Sequence, residues 1–151
     1  MLNQLEGSYR KAPFFKTAFP VVTSILQAER RNLFEYIYQS IQKLADFLQV
    51  KTPLVISSSI GIDHSLRGED KVLAICRTMR ATDYVNAIGG LELYSKANFL
   101  AHRISLEFIK TRPIRYQQYG GAFVENLSIV DVMMFNSRET ISGFLRDYDL
   151  V

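Results

Sequence analysis

Helical and strand-like stretches alternate along this chain, and their order restricts the fold more than any other feature. The stretches "NLFEYIYQSIQKLADFL" and "EDKVLAICRTMRA" have helical periodicity, whereas "TPLVISSS", "TDYVNAI" and "ISLEFIK" are short apolar runs typical of strands. Helices that alternate with strands build a parallel sheet through right-handed crossovers. The sequence therefore predicts an α/β fold, a three-layer-like parallel sheet with flanking helices. Three strands are few for such a sheet, so it is expected to be incomplete at the N-terminus.

The strongest helix signal follows Asn32. Asn32 and Glu35 have the spacing of a capping box, and the helix is expected to end near Val50. Its apolar positions fall on one face: Leu33, Ile37, Ile41, Leu44 and Leu48. A second amphipathic helix is predicted where Val72, Ile75, Cys76 and Met79 repeat at helical spacing.

The last third of the chain is predicted to be a loop and two helices. The stretch "TRPIRYQQYGGAFVEN" has turn formers and aromatic residues without a period, which predicts a loop packed over the sheet. "LSIVDVMMFN" and "SRETISGFLRDYD" predict helices, the second with Ser137 as N-cap and Tyr148 on its apolar face. The chain has no internal repeat and no linker, so residues 1–151 are predicted to form one domain.

Composition narrows the possible partners. The net charge is only +3, and the basic residues are scattered, whereas nucleic-acid binding needs a concentrated basic face. The single Cys76 cannot form an internal disulfide, and His64 and His102 match no zinc spacing, so no metal site is expected. The sequence has no apolar run that could span a bilayer and no signal peptide. We expect a cytoplasmic protein without a nucleic-acid or membrane partner; the cofactor stays open.

A ligand site is predicted beyond the carboxyl ends of the strands, where open parallel sheets bind ligands. Gly89 and Gly90 could let the backbone approach an anion while the free N–H groups of the next helix face it. A tight turn with positive φ is the alternative explanation of the two glycines. The predicted ligand-binding residues are Ser57, Ser58, Ser59, Asn86, Gly89, Gly90, Tyr94 and Arg10.

Several of these residues also have plain structural explanations. The serines could be caps or loop hydrogen bonders, and the Tyr94 ring could pack inside the fold. Asp63, His64 and Ser65 are consecutive, but consecutive side chains point apart and do not form a catalytic relay.

Other polar residues stand out by position. Arg10 lies in a small basic patch between Tyr9 and Lys11, and Arg112 and Arg115 flank Pro113; these arginines could hold an anionic, nucleotide-linked sugar or be solvated surface charge. Cys76 is expected to pack in the core.

Asp131 is unusual because it lies in the apolar stretch "SIVDVMMFN". A carboxylate in such a helix must have a partner or face solvent.

Four stretches, in this order and spacing, resemble the WbqC-like family of bacterial proteins: "RKAPFFKTAFP", "LADFLQVKT", "DKVLAICRTMRATDYVNAIGGLELY" and "FVENLSIVDVMMFN". The most specific parts are the Gly-Gly-x-x-x-Tyr pattern that ends at Tyr94 and the Leu-Ser-Ile-x-Asp pattern at 127–131. The resemblance implies a role in bacterial surface-polysaccharide (O-antigen) biosynthesis. It also implies a transferase that acts on an activated sugar or on an acyl or aminoacyl donor.

The chain departs from the family pattern at its start. Family members usually begin with a strand that carries a His-Gln-Pro motif, and no such motif precedes Leu2. The chain is therefore expected to resemble the later two-thirds of the family domain and to be truncated, inactive or limited to binding. A different class of function is also open: a non-catalytic interaction module whose exposed apolar surface is covered by a second copy in a homodimer.

Overall fold

A computed structural model describes residues 1–29 and 32–151. The chain divides into two compact units, and each is described by itself. We call Met1–Pro53 with Pro113–Arg146 the helical unit, and Leu54–Arg112 with Asp147–Val151 the sheet unit. The prediction of one domain stays a prediction.

Within the described ranges, helices and a small mixed sheet form a mixed α/β fold, which confirms the predicted class. In chain order the elements are α1 (Leu2–Tyr9), α2 (Phe15–Leu26), α3 (Leu33–Phe47), α4 (Gly68–Thr78), β1 (Asp83–Ala87), α5 (Lys96–Ala101), β2 (Ser105–Thr111), α6 (Ile129–Phe135), α7 (Arg138–Phe144) and β3 (Tyr148–Leu150).

The helical unit has its core between α2, α6 and α7. α2 buries Ala18 and Val22, and α6 buries four consecutive residues, Asp131 to Met134. The buried core residues are Ala12, Ala18, Val22, Phe47, Val132, Met133, Met134 and Ile141. Because a helix with a continuous buried segment has neighbours on several sides, the single carboxylate inside α6 lies in an apolar surrounding.

The predicted cap of α3 is confirmed. The Asn32 side chain accepts hydrogen bonds from the backbone N–H groups of Phe34, at 2.8 Å, and Glu35, at 3.4 Å. The predicted apolar face is mostly exposed, however: Leu33 is 73% exposed, Ile37 47% and Ile41 46%. Helical periodicity identifies residues that share a face, but it does not show that a neighbour covers that face.

The sheet unit contains strands in the order β1-β2-β3. β1 and β2 are parallel, with Asp83 opposite Ser105, as the predicted strand order requires. β3 is antiparallel to β2, with Ile109 opposite Leu150 and Thr111 opposite Tyr148. The fully parallel sheet is therefore confirmed for one strand pair only.

Two strand assignments were wrong. The "TPLVISSS" run has no strand: Lys51–Ile56 lacks regular structure, and Ser57–Ser59 forms a short 3₁₀ helix. The third strand is β3, whose Tyr148 was predicted to be helical. α7 ends at Phe144, because the following residues turn to pair with β2. Whether each of the two segments forms a strand depends on pairing with a distant strand, and local composition does not reveal such pairing.

One face of the sheet is covered by α4 and α5. The predicted strand "ISLEFIK" is confirmed as β2, in which Leu106 and Phe108 are buried. The buried cluster comprises Leu73, Cys76, Phe99, Ile104, Leu106 and Phe108. Burial raises the pKa of the Cys76 thiol, so this cysteine packs as a core residue, as predicted.

Candidate functional site

The helical unit buries a carboxylate. Asp131 is only 5% exposed and lies in the first turn of α6, which Ser128 caps by accepting a hydrogen bond from the Val130 N–H. The Tyr9 hydroxyl donates to Asp131 Oδ1 at 3.0 Å, and the Tyr116 hydroxyl donates to Oδ2 at 2.7 Å. The expectation that Asp131 needs a partner is thereby confirmed.

A third donor to the carboxylate is the side-chain amide of Gln118, whose Nε2 lies 3.2 Å from Asp131 Oδ2. Tyr9, Tyr116 and Gln118 are all neutral groups, so the hydrogen bonds stabilise the carboxylate without neutralising its charge. We call Asp131 and these three donors the Asp131 cluster.

The two tyrosines of the Asp131 cluster are held as neutral phenols. Burial, and then the hydrogen bond to Asp131, raises the pKa of Tyr9 to about 12. The same two causes, in the same order, raise the pKa of Tyr116. Each hydroxyl proton is committed to Asp131, so the lone pairs of the phenol oxygens are what these residues can offer to a ligand.

Gln118 also closes a loop. Its Nε2 donates to the Val124 carbonyl at 3.0 Å, and its Oε1 accepts from the Val124 N–H, also at 3.0 Å. Within this closed segment Gly121 has φ +134°, a conformation that a residue with a Cβ rarely adopts. The amide thus holds both ends of a tight loop between residues 118 and 124.

A cavity of about 310 Å³ lies against this loop; we call it the loop cavity. It is lined by Tyr116, Gln117, Gln118, Tyr119, Gly120, Gly121 and Phe123. Tyr116 and Gln118 belong both to this lining and to the Asp131 cluster. The loop cavity and the buried charge are therefore joined by two side chains.

Aromatic packing positions the cavity walls. The rings of Tyr116 and Phe123 have centroids 5.4 Å apart and planes at 86°, and Tyr119 packs edge-on against Phe135 of α6 at 4.9 Å. Tyr116 also contacts Phe144 of α7 at 6.3 Å. The predicted loop is confirmed, and its rings pack on helices α6 and α7 of the helical unit. The prediction that it lies over the sheet stays a prediction.

The predicted ligand-binding residues lie in different places. Ser57, Ser58 and Ser59 are exposed in the sheet unit, and Ser59 Oγ donates to the Ile56 carbonyl at 2.7 Å. Arg10 is exposed at the end of α1 and belongs to the helical unit. The assignment of a ligand to these residues stays a prediction.

Gly89 and Gly90 do not form the positive-φ turn that was the alternative explanation. Both belong to a 3₁₀ helix, Ile88–Gly90, and neither has a positive φ. A Cβ on Gly90 would lie 2.5 Å from Asn86 Nδ2, whereas a Cβ on Gly89 would meet nothing within 4 Å. Close approach of Asn86, whose Oδ1 accepts from the Ala87 N–H at 2.8 Å, explains the second glycine.

Tyr94 packs inside the sheet unit. Its ring makes edge contacts with Tyr84 at 6.0 Å and with Phe99 at 6.1 Å. Burial, and then the neighbouring Tyr94, raises the pKa of Tyr84. The structural explanation of the Tyr94 ring is therefore confirmed.

The helix expected to present N–H groups to an anion is already capped. The first α-helix after the glycines is α5, and the Ser95 side chain accepts from the Asn98 N–H at 3.2 Å. The Glu69 carboxylate accepts from the Ser95 N–H at 2.6 Å and from the Asn98 amide. These two bonds, the backbone one first, lower the pKa of Glu69. Two N–H groups at the start of this helix, those of Ser95 and Asn98, are therefore already engaged, and an anion at this helix stays a prediction.

The remaining polar candidates are also engaged within the protein. Arg112 pairs with Asp147, at 3.1 Å, and with Asp149. Arg115 lies 3.6 Å from Glu125 and over the Phe123 ring at 5.8 Å.

The consecutive Asp63, His64 and Ser65 form no relay. Asp63 accepts from the Ser65 N–H and hydroxyl, at 2.9 and 2.7 Å. The His64 ring lies instead 3.0 Å from the Ile60 carbonyl.

Sequence analysis found Asp131 but missed its donors. Tyr9 is 122 residues away from Asp131 in the chain, and neither Tyr116 nor Gln118 shares a helix with it. The only signal was an isolated carboxylate in an apolar helix. Among the described residues, no group of three His, Cys, Asp or Glu could hold a metal ion, and no helix has the length and apolar character needed to cross a membrane.

Comparison with known proteins identifies the family. No curated protein and no solved structure matches the chain. The family model described as "WbqC-like protein family" matches residues 1–143, which include most of each unit and the whole Asp131 cluster. The chain therefore belongs to the WbqC-like protein family.

Proposed function

We propose that the loop cavity binds a sugar group, and that the chain acts as a transferase in bacterial surface-polysaccharide (O-antigen) biosynthesis. The donor would be an activated sugar, such as a nucleotide-linked sugar, or an acyl or aminoacyl donor. The observation that carries the proposal is the joining of the loop cavity to the buried Asp131 through Tyr116 and Gln118.

The chemistry of the lining suits a sugar. Aromatic rings offer apolar faces to the C–H groups of a sugar ring, and the Tyr116 oxygen and the Gln117 amide offer hydrogen bonds to its hydroxyls. The volume of about 310 Å³ lies at the lower end of the range for small-molecule sites, roughly 300–1,000 Å³. A single sugar unit is therefore favoured over a long oligosaccharide in the cavity.

The transferase part of the proposal is supported by the family resemblance alone. Proteins of the WbqC-like family are associated with surface-polysaccharide gene clusters, and an activated sugar is the common substrate of such pathways. The residues of the loop cavity support binding, and we assign no chemical step to any of them.

The test is a titration of the isotope-labelled chain with glucose and with a uridine diphosphate sugar, followed by backbone amide NMR signals. Binding in the loop cavity shifts the signals of residues 116–123, and Phe123→Ala weakens that binding. Phe34→Ala is the matched control, because Phe34 is an exposed aromatic ring of α3 that is not part of the lining.

The same titration tests the other proposed place for the ligand. Shifts confined to Ser57–Ser59, Asn86 and Gly89–Tyr94 would support the anion site beyond β1 and reject the loop cavity. Absence of shifts in both segments with every ligand would reject both binding proposals.

A second candidate function is a homodimeric interaction module. α3 exposes Leu33, Phe34, Ile37 and Ile41 on one stripe. In a dimer with a two-fold axis, both subunits use the same surface patch, so this stripe can pack against the same stripe of a second copy. Sedimentation at high concentration tests this candidate: a dimer that Ile37→Lys converts to monomer supports it, and a monomer in the unsubstituted chain rejects it.

A further inference from the structure

We infer that the loop cavity selects a ligand group with a positive charge, the ammonium of an amino sugar, because Asp131 makes the cavity electronegative. The inference rests on the proposed binding of a sugar in the loop cavity and adds the chemical class of that sugar.

The charge of Asp131 is not balanced by its own partners. The carboxylate is 5% exposed, and its three hydrogen-bond donors are two phenols and one amide. A buried charge that is hydrogen-bonded but unpaired attracts an opposite charge strongly, because little water screens it. A cation that enters the adjoining cavity supplies the missing charge.

The lining adds no competing charge. It consists of three aromatic residues, two glutamines and two glycines, none of which is ionised at neutral pH. The nearest charges along the loop are Arg115 and Glu125, which pair with each other at 3.6 Å and are largely exposed, so they offset one another and are screened by water. Asp131 is therefore the charge that the cavity senses.

The aromatic walls favour the same ligand group. Tyr116 and Phe123 stand at 86° to each other, so two ring systems border the cavity from different directions. Ring faces attract cations, and the Arg115 guanidinium already lies 5.8 Å from the centre of the Phe123 ring. An ammonium in the cavity would meet ring faces and a carboxylate field together.

Tyr116 gives the ammonium a hydrogen-bond acceptor. Its hydroxyl proton is donated to Asp131 at 2.7 Å, and its oxygen accepts a long hydrogen bond from Gln118 Nε2 at 3.5 Å. A phenol oxygen can accept a second bond, which leaves one lone pair for a donor that enters the cavity. The ammonium donates to this oxygen, which strengthens the bond from Tyr116 to Asp131. A phosphate in the same place would face the lone pairs and the carboxylate, and would be repelled.

The experiment compares three sugars that differ at one position: glucosamine, glucose and N-acetylglucosamine. Each is titrated into the full chain at neutral pH, with the amide signals of residues 116–123 as the readout. We expect glucosamine to bind about tenfold more tightly than glucose, and N-acetylglucosamine, whose amide is uncharged, to lose that advantage.

Two variants assign the effect to its cause. Asp131→Asn removes the charge and should bring the affinity for glucosamine to within about twofold of the affinity for glucose. Glu125→Gln is the matched control, because it removes an exposed carboxylate of the same loop and should leave the tenfold preference intact.

The outcomes separate the inference from the proposed function. Equal binding of glucosamine and glucose by the unsubstituted chain, with shifts at residues 116–123, would overturn the inference and leave sugar binding standing. No shift at these residues with any of the three sugars would overturn both. Because the ligand comparison needs no variant, the inference remains testable even where Asp131→Asn fails to fold.

Discussion

The two units use carboxylates in opposite ways. In the helical unit, Asp131 is buried and its donors are neutral side chains. In the sheet unit, Glu69 accepts from a backbone N–H, and Asp149 accepts from the Arg112 guanidinium at the surface. The Glu69 and Asp149 contacts complete a helix cap and a strand junction, whereas Asp131 keeps an unbalanced charge beside a cavity. A buried carboxylate whose hydrogen-bond donors are all neutral therefore marks the candidate site, although it has more donors than either surface carboxylate.

The largest effect that the comparison predicts is the loss of Asp131. Asp131→Ala leaves Tyr9, Tyr116 and Gln118 without their acceptor and opens a void, so we expect the helical unit to lose about 2–4 kcal/mol of unfolding free energy. Glu69→Ala removes partly exposed cap contacts, and the sheet unit should lose about 1 kcal/mol. Urea unfolding, followed by NMR signals assigned to each unit, measures both.

Asp131→Asn is the control for the first substitution. The amide keeps an acceptor oxygen for one tyrosine, so the loss should be smaller than for alanine. A loss for Asp131→Ala no larger than that for Glu69→Ala would show that the Asp131 cluster contributes no more to stability than a surface cap, and would contradict the comparison.

The next largest effect concerns how the stability of each unit depends on pH. The pKa of Tyr9 is raised from 10.0 to about 12, so the folded state favours the neutral phenol. This contribution is complete below pH 10 and is lost as the pH rises from about 10 to 12. We therefore expect the helical unit to lose this contribution between about pH 10 and 12. Burial also raises the pKa of Cys76 and Tyr84, so the sheet unit weakens in alkali as well, and Tyr9→Phe identifies the part that belongs to the helical unit.

The sheet unit should weaken in acid through its surface carboxylates. The pKa of Glu69 is lowered from 4.5 and that of Asp149 from 3.8, so their contributions are present above these values and are lost as the pH falls below them. Methyl NMR signals of Met134 and Leu106 report on the two cores separately. Tyr9→Phe should reduce the loss of stability between about pH 10 and 12 that the Met134 methyl signal reports. If the pH dependence of that signal is unchanged in the variant, Tyr9 is not the cause of the loss.

Substitution of the two adjacent glycines of the sheet unit is expected to change the unfolding free energy by less. Gly90→Ala places a Cβ 2.5 Å from Asn86 Nδ2, and the bond from the Ala87 N–H restrains Asn86 from moving away, so we expect a loss of about 1–2 kcal/mol. Gly89→Ala, the matched control, meets open space and should change stability by less than about 0.5 kcal/mol.

Asn86→Ala combined with Gly90→Ala tests the cause. The double variant should recover most of the loss in thermal unfolding, because the clashing amide is gone. Equal melting temperatures for the two single glycine variants would mean that close approach of Asn86 is not the reason for Gly90.

The sequence predicted the parts of the fold that depend on near neighbours. The sequence shows three such features as local patterns: the Asn32 cap, the Ser137 cap and the apolar run of β2. In the second cap, Ser137 Oγ accepts from the Thr140 N–H at 3.2 Å. The apolar α6 was also predicted, because its composition allows little else. Asp131 could be recognised within it for the same reason.

The other parts of the fold and of the candidate site depend on contacts between residues far apart in the chain, which no local sequence pattern shows. "TPLVI" has the composition of a strand but finds no partner strand, whereas Tyr148–Leu150 becomes a strand because β2 is beside it. The same holds for the candidate site: Tyr9 is brought to Asp131 by the packing of the helical unit. Site residues that share an element can be inferred from spacing, and those joined by tertiary packing cannot.

The smallest predicted effect concerns a backbone feature that the two units share. Two positions beyond the last residue of α3 in the helical unit, and of α5 in the sheet unit, lies a residue with positive φ: Gln49 at 58° and Arg103 at 60°. The residue after each donates its N–H back to the last turn, as in Val50 to Ala45 at 2.8 Å. Glycine adopts this conformation without the steric cost of a Cβ, so Gln49→Gly should raise the unfolding free energy by about 0.5–1 kcal/mol.

Arg103→Gly sharpens this comparison because the arginine also carries a charge near the negative end of the α5 dipole. Removing it forfeits about 0.3–1 kcal/mol, so its net gain should be smaller than that of Gln49→Gly. Chemical denaturation in low and high salt separates the two contributions, because salt screens the dipole interaction but leaves the backbone gain unchanged. In high salt, Gln49→Gly and Arg103→Gly should raise the unfolding free energy by similar amounts, since the two residues have the same backbone conformation. A gap that persists in high salt would show that the two helix ends differ in more than charge.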